Sequence, residues 1–477
     1  MLRRLRIGGA LLALAATLTG CGGGGGGSSN LAATGSGTPA PSPSGTQCSL
    51  SARQSWAAAQ LREWYLFPET LPASLDSGDF STVQSYIDAL TATARAQGRD
   101  RFFTHLTSLR EENAFFNSGS SAGFGFRLQT DAAARRAFVT ESFETAPAFG
   151  AGLDRGDEIL AIGEGPGNLR LVSDIIASEG TGGVSAALGP SSAGVTRTLR
   201  LSGPAGTREI TITKADYALQ PVSNRYGVRI IEAEGKRVGY LNLRTFISTA
   251  DPQLREAFAR FRDEGVTELI IDFRYNGGGL VSTAQLIGDL LGRARFSSDV
   301  LDRVTYRPEK SSRNETRFFR SSANAVAPMK IAFIGTGATA SASELVINSQ
   351  LPYLGQNVAL VGANSFGKPV GQIALDREAC DDRLRVVAFS TQNAAGQADY
   401  FQGLAAVVPN SCTASDDVAF PLGDPQEAMV KVALDFLASR PCTPIPAGRT
   451  GQTLRPQAEL LTPAVPSVAQ REVPGLF

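Results

Sequence analysis

An α/β protein carrying a β-rich insertion is what this sequence predicts, and two patterns carry the expectation. Over about 225–440, strand-like runs (VGYLNLRTF, ELIIDFR, KIAFIGTG, NVALVGA) alternate with stretches of helical spacing (DPQLREAFARFRDEG, STAQLIGDLL). Strands that alternate with helices build a sheet covered on its faces, the α/β arrangement. Between about 118 and 215 the character changes to short strands divided by turn residues: GFGFRLQT, RAFVTESF, DEILAIGEG, TRTLRLSG, REITITKA. That rhythm indicates a small β-rich domain. Upstream, 49–116 carries helical spacing, as in SARQSWAAAQLREWYLF.

The ends of the chain read differently. MLRRLRIGGALLALAATLTGC sets three arginines before an apolar run too short for an ordinary membrane span, the pattern of a secretory signal. Its last residues, Leu18-Thr19-Gly20-Cys21, resemble a bacterial lipobox, in which Cys21 becomes the lipidated first residue. A Gly/Ser/Pro stretch, 22–47, follows as a tether with too few apolar side chains to bury a core. The expected divisions are therefore a signal over 1–21, the tether, a helical domain over 48–116, a β-rich domain over 117–216 and an α/β core over 217–442. The Pro-rich end, 443–477, lacks periodicity and is expected to be disordered. Export with a lipid anchor places the protein in the cell envelope, attached to a membrane without spanning it.

Charge excludes one class of partner. Lys plus Arg and Asp plus Glu both number 45, so no net basic field exists to attract nucleic acid. Once Cys21 is set aside for lipid, Cys48, Cys380, Cys412 and Cys442 remain, an even number suited to two disulfides in an oxidising compartment. Because Cys380 and Cys412 share one late segment, the expected pairs are Cys380–Cys412 and Cys48–Cys442.

Which catalyst this chain can build is limited by its single histidine. His105 lies in RFFTHLTS, in the helical N-terminal part and away from every glycine-rich turn, and so reads as a packing or surface residue. A Ser-His-Asp triad and most zinc sites would require it. HExxH and CxxC spacings are both absent, so neither metal nor organic cofactor is expected. Lysine is the remaining base, because burial disfavours the ammonium and brings its pKa towards neutrality. Lys368 sits in GANSFGKPVGQ directly after a strand, between a glycine and a proline that make the loop tight.

TASASE (339–344) lies one helix and one strand earlier, at a strand-to-helix junction where a serine can be a cap or a nucleophile. A helix followed by a returning strand brings both loops to one sheet edge, so Ser341 as nucleophile and Lys368 as base are geometrically compatible. DFRYNGGGL (272–280) ends another strand in three glycines, whose N–H groups can face outward. The Ala342 N–H also points outward at a helix start, with the dipole behind it.

TASASE and ALVGANSFGKPVGQ, preceded by DFRYNGGGL, resemble the carboxyl-terminal processing (tail-specific) peptidases over roughly 50–435. The resemblance implies a Ser-Lys serine endopeptidase with a βαβ core of crotonase/Clp-like type and an inserted PDZ domain. It assigns Ser341, not Ser343, as nucleophile, Lys368 as base and Gln372 as the residue orienting it. Ala342 and Gly278 become the oxyanion donors, while Thr339 and Ser343 pack or cap the turn. SAGFGFRL resembles the PDZ carboxylate-binding loop, in which the N–H groups of Phe124, Gly125 and Phe126 would hold the apolar C-terminal end of a protein or peptide substrate.

Three departures from the family pattern stand out. The Ser-to-Lys spacing is two residues longer, an acid usual after the nucleophile's helix is missing from LPYLGQN, and the lysine loop lacks an acid and a glycine. They suggest altered substrate pockets. They also keep open a different class of function, a PDZ-bearing scaffold without turnover. A further arrangement follows from the sequence ending PGLF: the tail docked in the chain's own groove.

Overall fold

The computed structural model describes residues 46–204, 206–446 and 458–477, all within the unit Pro43–Phe477. The signal, Cys21 and the tether to residue 45 lie outside the described residues.

The core is a six-stranded sheet whose spatial order follows the chain: Val228–Ala233, Lys236–Asn242, Glu268–Asp272, Lys330–Gly335, Val358–Gly362, Asn410–Thr413. The first pair is antiparallel, joined by a two-residue turn in which Glu234 and Gly235 both take positive φ, the geometry a tight hairpin requires. Every later pairing is parallel. Parallel neighbours need a crossover, and helices Ala250–Asp263, Val281–Leu290 and Ala342–Leu354 supply three of them.

Burial explains why these strands read as unbroken apolar runs. In KIAFIG, Ile331 and Phe333 face a cluster with Leu241, Phe258 and Leu345, while Ala332 and Ile334 face another under helix Ala428–Leu437. Because the strands run parallel, the loops after Asp272, Gly335 and Gly362 emerge at one edge, and register sets Asp272 opposite Ile334 and Gly335 opposite Gly362.

A second sheet faces that edge. It orders His105–Ser108, Asp382–Gln392, Val300–Tyr306 and Glu315–Phe318, with Val370–Arg377 also pairing Asp382–Gln392. Helices Leu50–Trp64 and Val83–Leu90 pack on it through Leu61, Tyr65, Ile87 and Val386. The expected helical setting of His105 is corrected here. His105 opens a strand and pairs with Arg385, which carries it to the sheet edge rather than away from it.

The β-rich segment supplies six strands of a seven-stranded sheet, the seventh coming from Glu459–Leu460, and most of a separate hydrophobic core. Strands Ser120–Gly123 and Ala215–Ala218 pair antiparallel, so the segment leaves and rejoins the rest of the chain at one place, as an insertion must.

Two further expectations fail. The disulfides are Cys48–Cys380 and Cys412–Cys442, not Cys380–Cys412 and Cys48–Cys442. Cys380 sits on the turn Glu378–Cys380 beside the start of helix Leu50–Trp64, whereas Cys412 lies on the edge strand of the six-stranded sheet. The segment beside that strand is 442–445, where Thr443 O accepts from Thr413 N at 2.8 Å. Nor is 443–477 disordered throughout. Glu459–Leu460 adds a strand to Phe126–Asp131, and Val468–Glu472 is a capped helix; 447–457 lies outside the described residues.

Buried charge joins the insertion to the core. Arg155, from the insertion, donates to Asp416 at 2.7 Å, and Arg274, from the core, reaches the same carboxylate at 2.9 Å. Burial alone would push the Asp416 carboxyl up; Arg155 and Arg274 overturn that and hold it at about 2. A depressed carboxyl contributes stability above its unfolded value that is lost as pH falls through the folded one. We therefore expect about 2 kcal/mol of stability to disappear between about pH 4 and pH 2. Denaturant titrations across that range check it: Asp416→Asn should be less stable at neutral pH and lack this acid-labile component.

Candidate active site

Ser341 occupies the junction between strand Lys330–Gly335 and helix Ala342–Leu354 with φ 56° and ψ −113°. Such a backbone costs a non-glycine residue roughly 1–3 kcal/mol, so the surroundings must impose it. They do so through hydrogen bonds. Thr339 Oγ1 donates to Phe273 O at 2.8 Å and accepts from Thr336 N at 2.9 Å. Ala340 N donates to Asn276 O at 3.1 Å, and Ser343 Oγ to the same oxygen at 3.3 Å. Thr339 and Ser343 are thus structural, holding TASASE against the glycine turn. The small residues are required there: a Cβ on Gly278 would lie 2.8 Å from Ser341 Cβ.

Glu344 ties this turn to the lysine loop. Its Oε2 accepts from Ser341 N at 3.0 Å and Lys368 N at 2.7 Å. Its Oε1 accepts from Ser365 Oγ at 2.6 Å and Gly367 N at 2.7 Å. Burial pushes the Glu344 carboxyl up, and these four donors oppose that. Ser341-x-x-Glu344 has the spacing of a capping box, the signal by which the sequence could have disclosed this residue.

Lys368 projects from a loop in which Gly367, at φ +86°, lies against the backbone of Phe401 and Gly403. Nζ donates to Gln372 Oε1 at 2.8 Å, and Gln372 Nε2 donates onward to Phe103 O at 2.5 Å. The Lys368 ammonium also lies 4.9 Å from the Phe103 ring centroid. Burial drives the Lys368 pKa down; Glu472, Asp100 and Glu344 oppose this and Arg385 assists it. Ser341, Lys368, Gln372 and His105 line one cleft of about 290 Å³. His105 Nδ1 lies 2.8 Å from Phe103 O, and burial holds the ring well below its ordinary pKa, so it is neutral.

The anticipated oxyanion donors are adjacent, since a Gly278 Cβ would be 3.1 Å from Ala342 N. Ala342 N–H stands in the first turn of its helix, where amides lack intrahelical partners. Gly278 N–H, however, donates to Asn276 Oδ1 at 2.9 Å and must be released before it can serve an oxyanion. Asn276 was not legible as a site residue.

Of the three amides expected to hold a peptide end, two converge on one acceptor. Gly125 N and Phe126 N donate to Phe477 O at 2.7 Å and 3.4 Å. Phe124 contributes its ring to the insertion's core, and its carbonyl accepts from Ala148 N at 2.9 Å. Among the described residues, no cluster of His, Cys, Asp and Glu is placed to hold a metal, and no helix is long and apolar enough to cross a membrane.

Residues 237–404 match the profile of peptidase family S41. The chain is 27% identical over 335 residues to the chloroplastic C-terminal processing peptidase of Tetradesmus obliquus, covering 68% of this chain and 65% of that protein. It is 25% identical over 251 residues to the carboxyl-terminal-processing protease of Synechocystis sp., covering 53% and 54%. The matches thus span between half and two-thirds of these relatives' lengths. A solved S41 protease from Bacteroides fragilis superposes with a TM-score of 0.62 at 25% identity, covering 80% of this chain and 97% of that one.

Glu344→Ala would strand three backbone N–H groups and a hydroxyl, each unpaired donor costing about 1–3 kcal/mol when buried. With partial relaxation, we expect a loss of about 3 kcal/mol or more in urea denaturation, and a smaller one for Glu344→Gln, which keeps one acceptor oxygen.

Proposed function

We propose, from the match of residues 237–404 to the profile of peptidase family S41, that this chain is a serine endopeptidase working through a Ser-Lys dyad. Ser341 Oγ attacks the scissile carbonyl and neutral Lys368 takes its proton. Gln372 Oε1 holds the amine in place, so Gln372 is a positioning residue. Charge developing on the carbonyl oxygen is met by Ala342 N–H and, once Asn276 lets it go, by Gly278 N–H. Lys368 then returns the proton to the leaving amine, and water hydrolyses the acyl-enzyme.

One observation carries the reading: the half-buried Lys368, with its burial-lowered pKa and its Gln372 contact, shares a cleft with the positive-φ Ser341.

The β-rich insertion fits a PDZ domain, with Gly125 and Phe126 amides as the end-binding loop and the edge of Phe126–Asp131 pairing an apolar C-terminal segment of a protein substrate. The lipobox Cys21 and the two disulfides support an exported, lipid-anchored protein in the cell envelope. The second reading, a peptide-binding scaffold without turnover, is favoured by the engaged Gly278 amide.

Cleavage of an unfolded protein with an apolar C-terminus separates the two. Ser341→Ala and Lys368→Ala should each lower kcat/KM by on the order of 10⁴ while folding is retained; equal cleavage by all three forms would place the site elsewhere. The ammonium cannot accept the serine proton, so activity should rise with pH through the Lys368 pKa. Gln372→Ala removes an acceptor that favours the charged form. Its acid limb should move to lower pH while kcat falls roughly tenfold to a hundredfold, a combination that a purely structural role would not produce.

A further inference from the structure

The segment 458–477 runs through both places that a substrate would need. Glu459–Leu460 pairs with the edge strand Phe126–Asp131. Helix Val468–Glu472 then lies over the cleft, where Val468, Arg471 and Glu472 line the same space as Ser341 and Lys368. Gly277, one residue from the anticipated oxyanion glycine, donates its N–H to Glu472 O at 3.2 Å. After a turn at Gly475 the chain returns to the insertion. Phe477 N donates to Phe126 O at 2.9 Å, and Phe477 O accepts from Gly125. The Phe477 ring is 2% exposed, in the insertion's own core.

This docking is specific along its length. Val468, Ala469, Val473 and Leu476 pack on Phe115, Phe143, Tyr217 and Ile247. Gln470 Nε2 donates to Leu476 O at 2.8 Å and fixes the reversal between cleft and groove. Only residues 473–476 separate the residue on the Gly277 amide from the residue on the Gly125 amide. At the cleft the segment is helical, and Val473 N donates to Ala469 O at 2.8 Å. Its peptide bonds are thus not presented to Ser341 in the extended form a scissile bond takes, so the segment sits there as an obstacle and not as a substrate.

We propose that 458–477 is an intramolecular occupant of the substrate path, closing the end-binding groove and the catalytic cleft together until a protein end with apolar residues displaces it. The proposal rests on the peptidase reading above for its effect on catalysis, but not for the docking itself. An attached segment acts at an effective concentration of the order of mM, so a substrate of ordinary affinity competes poorly with it.

The test compares the full chain with one ending at residue 457 and, because that truncation uncovers apolar surface, with the full-length double variant Val468→Asp/Phe477→Asp. Each is assayed for cleavage of an unfolded protein and for binding of a labelled synthetic peptide of sequence 458–477. We expect both altered forms to cleave about tenfold or more faster than the full chain. The peptide should bind both altered forms, suppress their activity and fail to bind the full chain. Equal cleavage by all forms with no peptide binding would overturn the proposal and leave the peptidase reading intact. Should no form cleave, the peptide decides: binding only to the altered forms supports occupancy and refutes the peptidase reading, and absence of binding refutes occupancy.

Discussion

The site depends on one buried carboxylate. Glu344 receives the amide of Ser341 and the amide of Lys368 on a single oxygen, and Gly367 and Ser365 on the other. Two loops separated by a helix and a strand are thereby held in one geometry without any direct contact between Ser341 and Lys368 being needed to place them. Hydrogen bonds to a charged acceptor are stronger than neutral ones and strengthen further where water is excluded. That is what offsets the strained backbone of Ser341 and the close approach of Gly278. Losing the carboxylate would free both loops at once, so the turn and Lys368 are positioned as one unit.

The parallel sheet determines which loops can meet. Once Glu268–Asp272, Lys330–Gly335 and Val358–Gly362 lie side by side with a common direction, the glycine turn, the TASASE turn and the lysine loop must share an edge. This part was legible in the chain, because each motif directly follows an apolar run and helical spacing separates them. Short strands divided by turn residues likewise marked the β-rich segment, whose strands Ser120–Gly123 and Ala215–Ala218 pair with each other.

What stayed hidden depends on contacts between segments distant in sequence. His105 belongs to a strand whose partner lies at Arg385, some 280 positions away, and no local pattern announces that pairing. Cys48 meets Cys380 because helix Leu50–Trp64 packs on the second sheet, a tertiary event that cysteine spacing does not encode. The end of the chain was misread for a related reason. Its apolar residues are few and aperiodic, so they support no core of their own, yet they fit surfaces prepared by Phe115, Phe143 and Tyr217. Composition distinguishes a segment that cannot fold alone from one that can. It does not distinguish a free tail from a docked one.

The docked segment also bears on Lys368. Burial lowers the Lys368 pKa, and among the charges acting on it Glu472 is the strongest opponent, ahead of Asp100 and Glu344, with Arg385 working the other way. Glu472 belongs to the docked segment, whereas Asp100, Glu344 and Arg385 belong to the body of the protein. Glu472 opposes the lowering of the Lys368 pKa, while burial pushes the Glu472 carboxyl itself up. The segment that covers Ser341 is thus also part of the charge and burial around Lys368.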